Sequence, residues 1–222
     1  MSQNIAHNIL SIRKKISGRD TTLICVTKNQ SIEKIQEAVK AGEKHFGANY
    51  SQELLAQSSQ VAGVHWHFIG HLQRNKVKQI LPFVELIHSV DSLELAQEIN
   101  KRAVDLGKIQ SILLEVNLGN EASKTGMTPE ALFQMIPSLD DLASIQLKGL
   151  MCIPPFSENP EDVRPYFRQL REIRDVIHQK NLYKNPLTEL SMGMSHDYEI
   201  ALQEGATMIR IGTGIFGERH AT

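Results

Sequence analysis

Lys28 stands directly after the apolar run Leu23-Ile24-Cys25-Val26-Thr27. Burial against a strand wall favours the neutral, nucleophilic form of an amine. Such an amine can form a Schiff base with an aldehyde. Most lysines are solvated, so position alone also, and more commonly, describes an exposed loop lysine. A second cluster is Arg210-Ile211-Gly212-Thr213-Gly214-Ile215-Phe216-Gly217. Gly212 and Gly214 let backbone amides come close to a ligand, and Thr213 adds a hydroxyl. A helical turn starting there would aim its amides at an anion. A plain chain-closing turn has the same spacing.

A third stretch, Ser191-Met192-Gly193-Met194-Ser195-His196-Asp197, supplies hydroxyls beside the same anion position and doubles as a helix N-cap. Asn49, His71 and Asp91 each follow a further apolar run. His65 and His67 share a strand face, but no carboxylate or cysteine completes a metal set, so they read as structural. Cys25 and Cys152 lie inside apolar runs and read as buried reduced thiols. An aldehyde-capturing lysine and a phosphate cradle together suggest a phosphorylated aldehyde. Pyridoxal 5′-phosphate (PLP) satisfies both features; so does the substrate of a Schiff-base sugar-phosphate aldolase.

These residues need a frame that gathers strand ends. Ile5, Ile9, Ile12 and Ile16 predict an amphipathic helix over 3–16, ended by Gly18. Eight short apolar runs follow, near 23–26, 45–47, 65–69, 84–88, 112–116, 147–151, 188–191 and 208–211. Helical patterns separate them, one of them over 75–81 and stopped by Pro82, with Ser31, Asp91 or Ser92, and Thr128 as expected caps, a long helix expected over 160–179 and a further helix over 196–204. Strands alternating with helices predict a parallel sheet covered on both faces, and eight units favour a single (β/α)₈ TIM barrel over an open sheet. Residues after each strand then share one rim, where barrel chemistry sits. No linker or composition shift divides the chain, so one domain over 1–222 is expected.

The chain has 222 residues and a formal net charge of −1, with 41% hydrophobic and 22% charged residues. That balance fits a folded globular protein and argues against a nucleic-acid coat or a polybasic membrane surface. The basic cluster Arg74-Asn75-Lys76-Val77-Lys78 continues into no stripe and reads as a solvated helix face. No signal core or membrane-length apolar run is present, so a cytoplasmic protein is expected.

Eight segments carry a resemblance. They are Val26-Thr27-Lys28, Phe46-Gly47-Ala48-Asn49-Tyr50, the run Trp66 to Gln73 (WHFIGHLQ), His88 to Ser92, Lys124-Thr125-Gly126-Met127, Gly149-Leu150-Met151, Ser191 to Asp197, and Arg210-Ile211-Gly212-Thr213. In order and spacing the chain resembles the YggS/PROSC family of PLP-binding (PLP homeostasis) proteins. The resemblance implies a barrel like the alanine racemase N-terminal domain, PLP fold type III. It implies PLP held as a Schiff base on Lys28, Asn49 lining the pocket, and Ser191, Ser195, Gly212 and Thr213 around the phosphate. It places Arg210 near the pyridine nitrogen, where a guanidinium disfavours ring protonation and weakens the electron sink. The family usually carries Glu where this chain has Ala48, which puts any role of that carboxylate here in doubt.

Racemases of the related fold take a second acid/base group, a tyrosine, from a β-rich domain across a dimer. The chain's end at Thr222 leaves no room for such a domain, and none of Tyr50, Tyr166, Tyr183 and Tyr198 stands out as a substitute. The expected protein is therefore a non-catalytic PLP carrier, monomeric, passing PLP transiently to PLP-dependent apoenzymes. A weak PLP-dependent amino-acid racemase is the alternative.

Overall fold

The four isoleucines at helical spacing are all buried along one face of α1 (Ile5–Ile16). Asn4 starts the helix by accepting from the His7 amide at 2.9 Å, and Arg13, Lys14 and Lys15 in the last turn complement the helix dipole. The computed structural model describes residues 4–119 and 125–218. Gln3 of the first expected helix, Lys124 of the fifth motif and the terminal residues 219–222 lie outside the described residues.

Eight strands follow: β1 (Thr22–Val26), β2 (His45–Ala48), β3 (His65–Phe68), β4 (Val84–Val90), β5 (Gln110–Glu115), β6 (Ile145–Met151), β7 (Glu189–Ser191) and β8 (Met208–Ile211). Each pairs in parallel with the next, and β8 pairs with β1 through Cys25 and Ile211, closing a barrel in chain order. Between them run α2 (Ile32–Lys40), α3 (Ser51–Ser58), α4 (Val77–Ile80), α5 (Leu93–Asp105), α6 (Pro129–Met135), α7 (Arg164–Gln179) and α8 (Tyr198–Gln203), with α9 (Thr213–Phe216) after β8. The architecture is the expected TIM barrel with a helix in front.

Alternation along each strand separates two cores. Leu23 and Cys25 face the helices, while Ile24 joins Leu86, Leu113, Met151 and Met208 in a separate cluster inside the barrel. The same parity turns Val26 toward the interior at the C-terminal end of β1, and Lys28 lies two residues beyond it in a turn.

Helix boundaries differ from the sequence expectation for local reasons. The expected helix over 160–179 starts as a 3₁₀ turn over Pro160–Val163, because Pro165 has no amide for the Glu161 carbonyl and the α-ladder must start afresh. The helix expected from His196 starts at Tyr198, after the Asp197 carboxylate has tied the Met194 amide into a turn at 2.6 Å. Thr128 caps α6 through the Ala131 amide as expected, whereas Ser31 and Ser92 occupy the N-cap position without a cap bond. The helix expected over 75–81 is a 3₁₀ turn and the single turn α4.

α1 locks the barrel seam. Asn8 Nδ2 donates to the Ile215 carbonyl at 2.9 Å, Arg13 grips buried Glu43 through two bonds of 2.5 and 2.8 Å, and Lys15 pairs with Glu199 of α8. Among the described residues no helix is long and apolar enough to cross a membrane.

Candidate cofactor site

Lys28 sits in a turn fastened on both sides to α3. Thr27 Oγ1 donates to Gln57 Oε1 at 2.8 Å, and Gln57 Nε2 returns a bond to the Thr27 carbonyl at 3.2 Å. On the other side Asn29 adopts the left-handed region (φ 57°) and gives its amide to Glu53 Oε1 at 3.2 Å. The amine between these anchors is partly exposed and lies 5.1 Å from the Tyr50 ring centroid. A cation over an exposed ring face is attracted to it only weakly, which leaves the amine free to meet a ligand.

β2 and β3 supply the neighbouring wall. Thr27 donates its amide to the Gly47 carbonyl at 2.9 Å, which brings Asn49 beside the Lys28 turn. The Asn49 side-chain oxygen is buried and has no hydrogen-bond partner among the described residues. Buried amides are almost always paired, so an orphan at a barrel rim fits a ligand site. Gly70 makes this approach possible: a Cβ there would lie 2.1 Å from the Asn49 carbonyl oxygen. A cleft of about 400 Å³ continues from Asn49 and Tyr50 past Phe68 and His71 to Lys76. His71 turns to Asp91 on the next strand end, 3.5 Å away.

The β7–β8 side is built differently. Ser195 Oγ accepts from the Gly214 amide at 3.1 Å, tying the third sequence cluster to the second. Gly212 packs against Val26, with 3.5 Å between its would-be Cβ and the Val26 Cβ, so the Gly212-Thr213 turn adjoins the strand that carries Lys28. Thr213 is exposed and Ser195 partly so. Ser191 is not: its hydroxyl is fully buried, accepting from Arg210 Nη1 at 2.6 Å and sharing a 2.9 Å bond with His88 Nδ1. Protein groups already engage the Ser191 hydroxyl, so it differs from Ser195 in what it can offer a ligand.

Arg210 is buried and gives its second bond from Nη2 to the Cys152 carbonyl at 3.0 Å. Burial pulls its pKa below the usual arginine value, opposed by the nearby Cys152, Asp197 and Glu115. Burial also pushes the Cys152 thiol up to about 12 and raises the Glu115 and Asp197 carboxyls. Both cysteines are free and buried.

Sequence reasoning missed a row of imidazoles under this site. His45 Nδ1 bonds His67 Nε2 at 3.0 Å, and His67 Nδ1 bonds His88 Nε2 at 2.9 Å. The missed signal was histidine recurring on β2, β3 and β4 at positions that step along the strands, as barrel stagger requires. Burial is the main cause that holds His67 down to about 3 and His88 well below its ordinary value, so both rings are neutral. His65 lies at the outer end, stacked on His45. Among the described residues no group of three or more His, Cys, Asp or Glu is arranged to hold a metal.

The alanine racemase N-terminal domain model matches residues 1–220. The chain belongs to the alanine racemase N-terminal domain family. Within that family, the pyridoxal phosphate homeostasis protein of Aquifex aeolicus is 48% identical over 199 residues, 89% of this chain and 86% of that one. The pyridoxal phosphate homeostasis protein of Escherichia coli K12 is 36% identical over 236 residues, 97% of each chain. PipY of Synechococcus elongatus, solved with PLP bound, superposes with a TM-score of 0.88 at 36% identity, over 96% of this chain and 100% of that one. A Clostridium difficile alanine racemase shares the fold at a TM-score of 0.77 and 18% identity, over 98% of this chain and 57% of that one.

Proposed function

We propose that this chain binds PLP as a Schiff base on Lys28 and serves PLP homeostasis by holding and releasing the cofactor without turnover. The observation that carries the reading is the partly exposed Lys28, in a turn fastened to α3 on both sides, beside the buried Asn49 oxygen that has no partner among the described residues. An aldehyde-bearing ring meets both needs: a carbon for the amine and a polar edge for the amide. The relatives' names and PipY's bound PLP point the same way.

PLP supplies an aldehyde and an electron-withdrawing ring. In this reading Lys28 holds the aldehyde carbon, Asn49 faces the ring's polar edge, and Ser195, Gly212 and Thr213 surround the phosphate. Arg210 faces the pyridine nitrogen. A guanidinium only donates, so it offers that nitrogen no proton acceptor and leaves the ring a poor electron sink. Ser191 contributes from beneath, by holding Arg210. The protein acts as a cytoplasmic monomer that exchanges PLP with apoenzymes.

Borohydride reduction of the PLP-treated protein, followed by peptide mass mapping, tests the site. The expected adduct lies on Lys28, and Lys28→Ala loses both the adduct and the visible absorbance. A colourless protein, or label on another lysine, defeats the assignment. Dihydroxyacetone phosphate trapped on Lys28 in preference to PLP would favour the aldolase instead. Solvent-deuterium exchange at the α-carbon of common amino acids is expected to be negligible; robust Lys28-dependent exchange would establish racemase-type turnover.

A further inference from the structure

The imidazole row does not end at the histidines. It runs from His45, at the start of β2, through His67 and His88 to Ser191 and Arg210, with every link between 2.6 and 3.0 Å. His67, His88, Ser191 and Arg210 are all buried. Imidazole proton positions follow from the network around them.

Arg210 decides that network. Its guanidinium has donors only, so Ser191 Oγ must accept from Nη1. The hydroxyl has one proton left to give, and its other side-chain partner among the described residues is His88 Nδ1. Were His88 Nδ1 the donor, Ser191 would accept twice and its own proton would be stranded in a dry interior. A stranded buried donor disfavours that arrangement by roughly tenfold or more. Ser191 therefore donates to His88 Nδ1. The proton of neutral His88 is then on Nε2 and goes to His67 Nδ1; that of His67 is on Nε2 and goes to His45 Nδ1. Every hydrogen bond in the row points from Arg210 toward His45.

We infer that His88 and His67 are positioning residues for Arg210: by taking the Ser191 proton, the row turns the hydroxyl's acceptor side to the guanidinium and holds it in one orientation. The neutrality of both buried rings supports this, because a ring with one proton has only these two directions to choose from. The importance of Arg210 to the cofactor rests on the PLP reading above; the direction of the row does not.

Long-range ¹H–¹⁵N correlation spectra of the ¹⁵N-histidine-labelled full chain at neutral pH, with and without PLP, test the direction. His67 and His88 should both show the Nε2–H pattern, assigned by single His→Gln variants. An Nδ1–H pattern at either ring overturns the inference. Arg210→Lys keeps a donor-only partner and should keep the pattern, whereas Ser191→Ala should release His88 into a mixture of tautomers. An unchanged His88 signal in Ser191→Ala also overturns it. For the positioning role, His88→Leu should weaken PLP binding about tenfold, from the stranded hydroxyl proton, and His88→Gln, which can accept and donate, should restore it to within about twofold. Undiminished binding in a folded His88→Leu refutes the role. If His88→Leu fails to fold, the tautomer spectra of the native chain still decide. A native chain that binds no PLP would defeat the PLP reading and leave those spectra standing.

Discussion

Ser191 Oγ sits 2.6 Å from Arg210 Nη1, with neither residue more than 3% exposed. Removing the hydroxyl strands a charged donor in the interior and takes the proton from His88 Nδ1. Ser191→Ala should therefore cost about 2–3 kcal/mol of stability. Ser195→Ala leaves only the exposed Gly214 amide without its partner, which water can replace, and should cost less than about 1 kcal/mol. Urea unfolding of the two variants checks the contrast. Equal costs would mean that the buried link carries no special weight.

The neutral histidines set an acid limit. In the unfolded chain His67 titrates near 6.5; in the native chain burial brings it to about 3. Between those values the unfolded chain holds a proton that the native chain refuses, so stability falls as pH falls, by about 1.4 kcal/mol per unit for one ring. Above about 6.5 the contribution is constant. Raised Glu115 and Asp197 act oppositely, because the native state binds their protons more readily. Comparing wild type with His67→Gln cancels them. Between pH 6 and 4.5 the wild-type stability should fall more steeply than that of His67→Gln by up to that slope; parallel curves would show that His67 titrates normally in the folded chain.

Gly70 should not tolerate a side chain. A Cβ would lie 2.1 Å from the Asn49 carbonyl oxygen and 2.8 Å from its Cα, both backbone atoms with no rotamer to yield. Gly70→Ala must displace Asn49, and a loss of about 1–3 kcal/mol is expected from overpacking. PLP titration and urea unfolding together should show weaker PLP binding in the folded fraction. Unchanged binding would mean that Asn49 lies outside the cofactor's reach.

The barrel was legible because strands of a parallel sheet, covered on both faces, are continuous apolar runs and the turns between them are not. Leu23 to Val26 and Ile112 to Leu114 could be read directly. The place of Lys28 at a strand end was readable because it is local. The imidazole row was not, because His88 and Ser191 are 103 positions apart and meet only through closure of the ring. The same distance hid the difference between Ser191 and Ser195. Their sequence neighbourhood is shared, but only strand parity and the arginine on β8 bury one of them. Helix starts were misjudged where a side chain outcompeted the helix, as Asp197 does at the Met194 amide, or where Pro165 interrupted the ladder.

The seam helix has a consequence for the order of manufacture. α1 is made before every barrel strand, yet its Asn8 bonds the carbonyl of Ile215 and it packs against α9 as well as α2. β1 likewise waits for β8 to fill its open edge. A ribosome therefore exposes the isoleucine face of α1 and the free edge of β1 for as long as it takes to add about two hundred residues, at about 5–20 per second. Through that interval the nascent chain carries sticky surface on α1 and β1, and native closure becomes possible only once β8 and α9 have been added. Growing-chain capture by chaperones should consequently concentrate on α1 and β1.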